Sequence, residues 1–308
     1  MILILSSSQD VHAKHLAKML RVQGRNVICL SKADFGNGAS ITLSPGTQRG
    51  ELKLSDGTRI ASDSISAVWH RRPGTVRPNP EITDELDRAF VENEGAHAID
   101  GFFSLASGRA VSPPAKQRAA TKPLQLSFAS RVGLRVPETL ITSDPEEALA
   151  FVGEHRGAVV HKAMTAPPHQ FIETRLWDSG ASERAAELSL CPTILQERVL
   201  GPADVRATIV GEQIFSGCIL TANGRADVDS RLDVDAPCTS YVLPASVKSA
   251  LLQLMHELGL VFGTVDLKLT DNGEHVFLEI NPQGQFLYIE ILTGLPISRA
   301  LAEFLAHD

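Results

Sequence analysis

Residues 277–284 read FLEINPQG, an apolar strand that ends with a carboxylate and a carboxamide two positions apart. Side chains alternate across a strand, so Glu279 and Asn281 share a face and present two oxygen donors where the chain runs into Pro282 and Gly284. Upstream, GTVDLKLT (263–270) and HVFLEIN (275–281) are strand-like runs joined by Asp271-Asn272-Gly273, an Asn-Gly turn of the kind that closes hairpins. Antiparallel pairing of the two brings Asp266 to the same patch. Two carboxylates and an amide suit Mg2+, which takes oxygen ligands at about 2.0–2.1 Å and keeps positions for water and phosphate. The alternative is structural, with Asp266 and Glu279 paired to lysines or arginines, since acidic residues at strand ends are common.

The 308 residues, 43% hydrophobic and 21% charged, describe an ordinary globular protein of two or three compact units. A net charge of −7 argues against broad electrostatic binding to nucleic acid or an anionic membrane, so small molecules or peptides are the better partners. MILILSSSQD is apolar for only five residues and lacks a basic start, so it reads as a first strand rather than a signal peptide, and no run reaches transmembrane length. Cys29, Cys191, Cys218 and Cys238 form no C-x-x-C pair, which disfavours a zinc site and a disulfide framework and points to a reducing cytoplasm. Cys191, before a proline, reads as an inert buried thiol.

Strands and helices alternate along the chain. The strand ILILS, a helix from Val11 to Leu20 and the strand NVICLS open a parallel α/β unit. ELKLSDGTRI reads as a hairpin turning at Asp56-Gly57, and AVWH as a buried strand ending in Arg71-Arg72-Pro73. An amphipathic stretch from Glu81 to about Leu105 is broken at Ser112-Pro113-Pro114, which sets a boundary. One helix is expected from Lys116 to about Val132, and another after Asp144 as N-cap with Pro145 in its first turn. Further strands are expected at AVVHK, FIETRLW, TILQERV, DVRATIV and QIFSGCIL, and a helix from Ser246 to Leu258 with Gly259 as its stop.

Asp266 with FLEINPQGQF and TGLPIS, together with VWHRRP at 68–73, resembles the ATP-grasp superfamily, and within it the graspetide (microviridin-type) peptide ligases. The likeness runs in order along nearly the whole chain and is loosest from Ala163 to Leu190. It implies an α/β ATP-grasp fold: a pre-ATP-grasp domain (1–112), a small central domain forming the ATP lid (113–192) and a C-terminal antiparallel-sheet domain carrying the magnesium site (193–308). It implies ATP and Mg2+ as cofactors, with Lys122 and Lys162 on the phosphates, Gln196, Glu197 and Val199 along the adenine, Asp204 near the ribose, and Arg206 on the transferred phosphoryl group. Arg231 in DVDSRLD is a second phosphate or substrate contact, although Ser230 stands where the family often has a tryptophan. Members of the family bind a leader segment of their precursor peptide, often as homodimers, and the stretch from Thr165 to Ser189 is where leader recognition is expected.

Each role has a plainer alternative. Lys122 also reads as a solvated helix residue, Glu197, Asp204 and Arg206 as the polar face of a half-exposed sheet, and Arg71-Arg72 as a surface ion pair of which at most one faces a substrate carboxylate. A lysine ending a buried strand, as Lys162 does, needs a charged partner. His12 and His15 read as solvated helix histidines without a metal partner. No P-loop, dinucleotide or nucleophile-elbow signature occurs. Two further readings share the same residues: a ligase acting on an amino acid, small metabolite or protein terminus, as glutathione synthetases and ribosomal-protein glutamate ligases do, and a nucleotide-binding protein without catalysis, as in synapsins.

Overall fold

The computed structural model describes residues 1–36, 38–165, 172–221, 228 and 235–307. Strand β1 (Ile2–Ser6) is buried at every position, as a parallel strand covered on both faces must be. It pairs with β2 (Val27–Leu30) and β6 (Ala67–Arg72), and β7 (Arg109–Val111) completes an all-parallel sheet in the order β2-β1-β6-β7. Helix α1 (Val11–Val22) makes the first crossover, capped by Asp10, whose carboxylate accepts from the backbone N–H groups of His12 and Ala13. The hairpin at Asp56-Gly57 is present as β4 (Arg49–Lys53) and β5 (Arg59–Ala61). It gains a third strand, β3 (Ser40–Ser44), that the sequence pattern does not announce. Leu52 and Ile60 of this small sheet and Ile99 and Phe102 of α2 (Glu85–Leu105) pack on Leu3, Leu5 and Val68.

The helix expected from Lys116 to Val132 is two helices, α3 (Pro114–Ala119) and α4 (Lys122–Arg131). Pro123 has no N–H to give, and its ring would meet the carbonyl four residues back, so the chain restarts at Thr121 with Pro123 in the first turn. A second sheet follows in the order β10-β9-β11-β8, from β8 (Thr139–Thr142), β9 (Val159–Lys162), β10 (Arg175–Leu176) and β11 (Thr193–Glu197). The strand expected at FIETRLW is thus only two residues long among the described ones. Helix α5 (Pro145–Glu154) starts on Asp144 as expected and buries Ala148 with Val159, Trp177 and Leu195, while the short α6 (Ser179–Glu183) follows β10. Cys191 is exposed, not the buried thiol expected.

The third sheet is antiparallel, ordered β14-β13-β12-β15-β16, and comprises β12 (Ala203–Val210), β13 (Gln213–Leu220), β14 (Cys238–Tyr241), β15 (Phe262–Leu269) and β16 (His275–Asn281). Helix α7 (Ala245–Leu258), closed by Gly259 at φ 64°, joins α4 over one face, on Val205, Ala207, Leu267 and Phe277. Helices α8 (Leu287–Thr293) and α9 (Ile297–Ala306) return toward the start of the chain. Ile289, Leu301 and Leu305 share one core with Ile4, Leu16, Leu20, Trp69, Phe262 and Phe286, so the first and last parts of the chain are packed as one unit. The result is the mixed α/β architecture expected, with an antiparallel sheet toward the C terminus. Among the described residues no helix is long and apolar enough to cross a membrane.

Candidate functional site

Three charged residues form a row across the antiparallel sheet. Arg206 on β12 is the register partner of Asp266 on β15, and Asp266 is the partner of Glu279 on β16. Directly opposed residues hold their side chains within contact range, so the row is fixed by backbone pairing. Two residues on, Thr264 faces Asn281. Next to Asp266 the register slips, leaving Leu278 as the extra residue of a bulge, a device that re-aims a strand end. Arg206 Nη1 lies 2.6 Å from Asp266 Oδ1, and Lys122 Nζ lies 2.9 Å from Glu279 Oε2. Each acid therefore already holds a cation of this chain.

Burial pushes the Asp266 carboxyl above its ordinary value; Arg206 pulls it back, and the facing Glu279 carboxylate adds to the rise. A dication between the two acids relieves that strain, since an opposite charge at short range favours the ionised form. The donor set fits magnesium: two carboxylates on facing strands, each partly open to solvent, and the Asn281 carboxamide, whose Oδ1 accepts from Gln283 N at 2.9 Å and keeps a second lone pair.

Lys122 reaches Glu279 because it opens α4, and Gln125 one turn later accepts from Ile280 N at 2.9 Å, so one helix face holds both the side chain and the backbone of the strand end. Lys122 also donates to Ala163 O at 3.2 Å, one residue beyond Lys162. Lys162, at the end of β9, donates to Gln196 Oε1 at 2.9 Å, and the buried Gln196 donates to Thr139 Oγ1 at 2.9 Å. Lys122 thus spans from the third sheet to the end of β9, next to Lys162. Asp204 pairs with Lys268, opposite it in register, at 3.0 Å. Cations on one side and hard oxygen donors on the other are the two halves of a site for a metal-bound polyphosphate.

Residues 1–118 match the MvdD pre-ATP grasp domain. Over its entire length the chain is similar to the macrocyclase MdnC of Microcystis aeruginosa MRC, solved with its precursor peptide MdnA, at 28% identity and TM-score 0.87, covering 100% of this chain and 99% of that one. The chain has the fold of the ATP-grasp ligases. Its likeness to the graspetide maturases, drawn from the sequence, is borne out by these matches. The macrocyclase MdnB of the same organism is 28% identical with TM-score 0.82, covering 100% and 99% of the two chains. A RiPP-associated ATP-grasp ligase of Chryseobacterium gregarium, in complex with ADP and a leader and core peptide, shares the fold at 24% identity and TM-score 0.87, covering 99% and 96%. Among curated proteins none matches.

On this fold, Lys122, Arg206, Asp266, Glu279 and Asn281 come together, and Lys162 and Gln196 form a second polar pair alongside. Glu197 ends β11, where its carboxylate lies 3.4 Å from Arg135 Nη2, and Val199 follows in the half-buried link to β12. Arg231 lies outside the described residues. Arg72 is exposed at the end of β6, whereas Arg71 is wholly buried: its Nη1 donates to Gly284 O at 3.0 Å and its Nε lies 3.3 Å from Asp10 Oδ2. Burial, with Arg72 adding, draws Arg71 down to about 10 against the pull of Asp10.

Four contributors are not foreseen from the sequence. Gln285 O accepts from Arg206 Nη2 at 3.2 Å, Tyr288 lies under the Arg206 guanidinium at 5.7 Å, His12 accepts from the loop backbone on the other side, and Asp10 stands behind it against His12 and Arg71. His12 is buried at 7% exposure, not a solvated helix histidine, while His15 is exposed as expected. A signal exists: His12, Ala13, Leu16, Ala17 and Leu20 lie on one helical face, which places His12 in the core.

Proposed function

We propose that this chain is an ATP- and magnesium-dependent ligase that joins a side-chain carboxylate of a ribosomal precursor peptide to a Ser/Thr hydroxyl or Lys amine of the same peptide, closing a macrolactone or macrolactam. The observation that carries it is the row Arg206–Asp266–Glu279 with Lys122 at its end, on a chain similar along its whole length to a macrocyclase bound to a precursor peptide. Lys122 and Lys162 hold the ATP phosphates, Gln196, Glu197 and Val199 border the adenine, and Asp204 lies toward the ribose. Asp266, Glu279 and Asn281 hold Mg2+, which supplies charge neutralisation at the phosphates.

Arg206 meets the γ-phosphoryl group as it passes to the peptide carboxylate; ADP leaves, and the acyl phosphate carries the activated carbonyl. The hydroxyl or amine then attacks that carbonyl, phosphate departs with the bonding pair, and the nucleophile's proton is lost to solvent. One water is thus removed from the peptide for each ring and one ATP becomes ADP and phosphate. No protein nucleophile takes part, and catalysis rests on positioning and fixed charge.

Arg71 and Arg72 are substrate-side candidates, and Arg231 is a further phosphate or substrate contact. The division at 112/113 and 192/193 belongs to this reading, as do leader recognition within Thr165–Ser189, of which 166–171 lie outside the described residues, a homodimer and a cytoplasmic setting. The test is ATP consumption with Mg2+ and a panel of leader-bearing peptides rich in Ser/Thr and Asp/Glu, each followed by mass spectrometry. Loss of one water mass per ring coupled to ADP release is expected. ADP release only with free amino acids or small carboxylates would overturn the peptide assignment.

A further inference from the structure

Residues 284–287 are gripped from three elements at once. Arg71 on β6 donates to Gly284 O, Arg206 on β12 donates to Gln285 O from Nη2 at 3.2 Å and Nε at 3.4 Å, and His12 on α1 accepts at Nε2 from Phe286 N at 3.2 Å and Leu287 N at 3.4 Å. The carbonyl of Gln285 and the N–H of Phe286 belong to a single peptide group, which is planar and rigid. One side of that plane's hydrogen bonding is therefore set by the N-terminal part of the chain and the other by the phosphoryl-side arginine. Phe286 is also the N-cap of α8 and brings no side-chain cap of its own, so the free N–H groups there take their acceptor from His12, 274 residues away in sequence.

His12 can accept only through an unprotonated Nε2, which leaves the proton on Nδ1, 3.4 Å from Asp10 Oδ1. Asp10 is itself fixed by Ser6 Oγ at 2.8 Å and by Arg71 at 3.3 Å. The charged groups facing the ring are Asp10, Arg71 and Arg72; burial, with both arginines adding, keeps the imidazole neutral against Asp10. The ring also stands edge-on to Phe286, centroids 4.9 Å apart.

We propose that His12 is a positioning residue for Arg206, acting through the Gln285–Phe286 peptide group. It rests on the reading of Arg206 as the residue that meets the phosphoryl group. His12 touches neither ATP nor peptide; it sets the orientation of the carbonyl on which the Arg206 fork lies, and so the distance from that fork to the Asp266–Glu279 pair. The nucleotide is held elsewhere, by Lys122, Lys162 and Gln196, so loss of the His12 contact acts on the chemical step and leaves ATP binding intact.

The test compares His12→Gln, which keeps an acceptor near the Nε2 position, with His12→Phe, which keeps the ring volume and removes the acceptor. With ATP, Mg2+ and a precursor peptide, His12→Phe should lower kcat by about 10–100-fold with KM for ATP unchanged, the scale expected when a reacting group is misplaced by about 1 Å. His12→Gln should retain most of kcat. In the protein alone, the Arg206 Nε–Hε resonance should move in His12→Phe and stay in place in His12→Gln. Equal losses in the two variants, a loss confined to KM, or an unmoved Arg206 resonance in His12→Phe overturns the proposal. Nitrogen-15 shifts of the wild-type ring add a measurement that needs no variant, and a proton found on Nε2 overturns it as well. If the wild-type chain closes no ring on any peptide, the function assigned above fails, while the Arg206 resonance and the ring tautomer still decide whether His12 holds this peptide plane.

Discussion

Gly284→Ala tests whether the loop after β16 depends on close approach. A Cβ at position 284 would lie 2.0 Å from Thr264 Oγ1, 2.2 Å from Thr264 Cβ and 3.1 Å from Asn281 O. Ordinary contact between carbon atoms is about 3.5–4.0 Å, so relief requires a shift of roughly 1.5 Å. Thr264 cannot provide it: it is fully buried in β15, two residues before Asp266, and its branched side chain is stiff at χ1. The loop must move instead, carrying Gly284 O off Arg71 and Gln285 O off Arg206. Overpacking of this kind costs about 1–3 kcal/mol. At roughly 2–4 °C per kcal/mol for a large domain, that lowers Tm by about 2–12 °C. A displaced Gln285 carbonyl should lower kcat by about 100-fold, because displacements of about 1 Å have that effect. Differential scanning fluorimetry and coupled ADP release measure both quantities. Thr264→Gly in the same chain removes both clashing atoms, and since Thr264 Oγ1 has no hydrogen-bond partner among the described residues, nothing polar is orphaned by its loss. The double variant should recover most of the lost kcat. Wild-type Tm and kcat in Gly284→Ala, or a double variant no better than the single, would refute the reasoning.

Asp266→Asn and Glu279→Gln should each lower turnover by about 100-fold or more, the several kcal/mol that a metal supplies to charge in phosphoryl transfer, with Tm close to wild type; normal turnover in both removes the metal assignment. Lys162→Ala should weaken ATP binding by about 10–100-fold, the value of a charge-assisted hydrogen bond of about 1.5–3 kcal/mol, and titration calorimetry with ATP and Mg2+ measures it. Acid should destabilise the fold through His70, which is buried on β6 against Phe103 and drawn down to about 4 by burial. The unfolded chain takes up that proton near pH 6.5 and the folded chain only near pH 4, so stability is complete above about pH 6.5 and falls as pH drops between the two values, by about 3 kcal/mol at about 1.36 kcal/mol per pKa unit. Denaturant midpoints at pH 7 and pH 4.5 report this, and His70→Phe should flatten the dependence.

What the sequence makes legible here is what local pattern controls. The alternation in FLEIN and the Asn-Gly turn are enough to put Glu279, Asn281 and Asp266 on one patch, and the β15–β16 register obeys that pattern. Asp144 and Pro145 start α5, and Gly259 ends α7, for equally local reasons. The break between α3 and α4 is also written locally, because a proline cannot continue a helix whatever its surroundings. Apolar periodicity across 116–132 argues for one continuous helix, and Pro123 is the stronger of the two signals.

The remainder of the site is long-range, and the physical reason is that each contact closes a loop that no short window contains. Arg206 meets Asp266 through pairing across 60 residues, Arg71 meets Gly284 across 213, and His12 meets Phe286 across 274. These contacts share one cause. Helices α1 and α9 and the residues of α8 bury their apolar faces in a single core with β1 and β6, which brings the start of the chain against residues 284–287. Burial of that apolar surface supplies the driving force, and the polar groups trapped in it must then find partners or bear the full cost of desolvation. His12 and Arg71 find theirs on the backbone beside Arg206. The N-terminal part of the chain therefore holds the peptide group against which Arg206 lies.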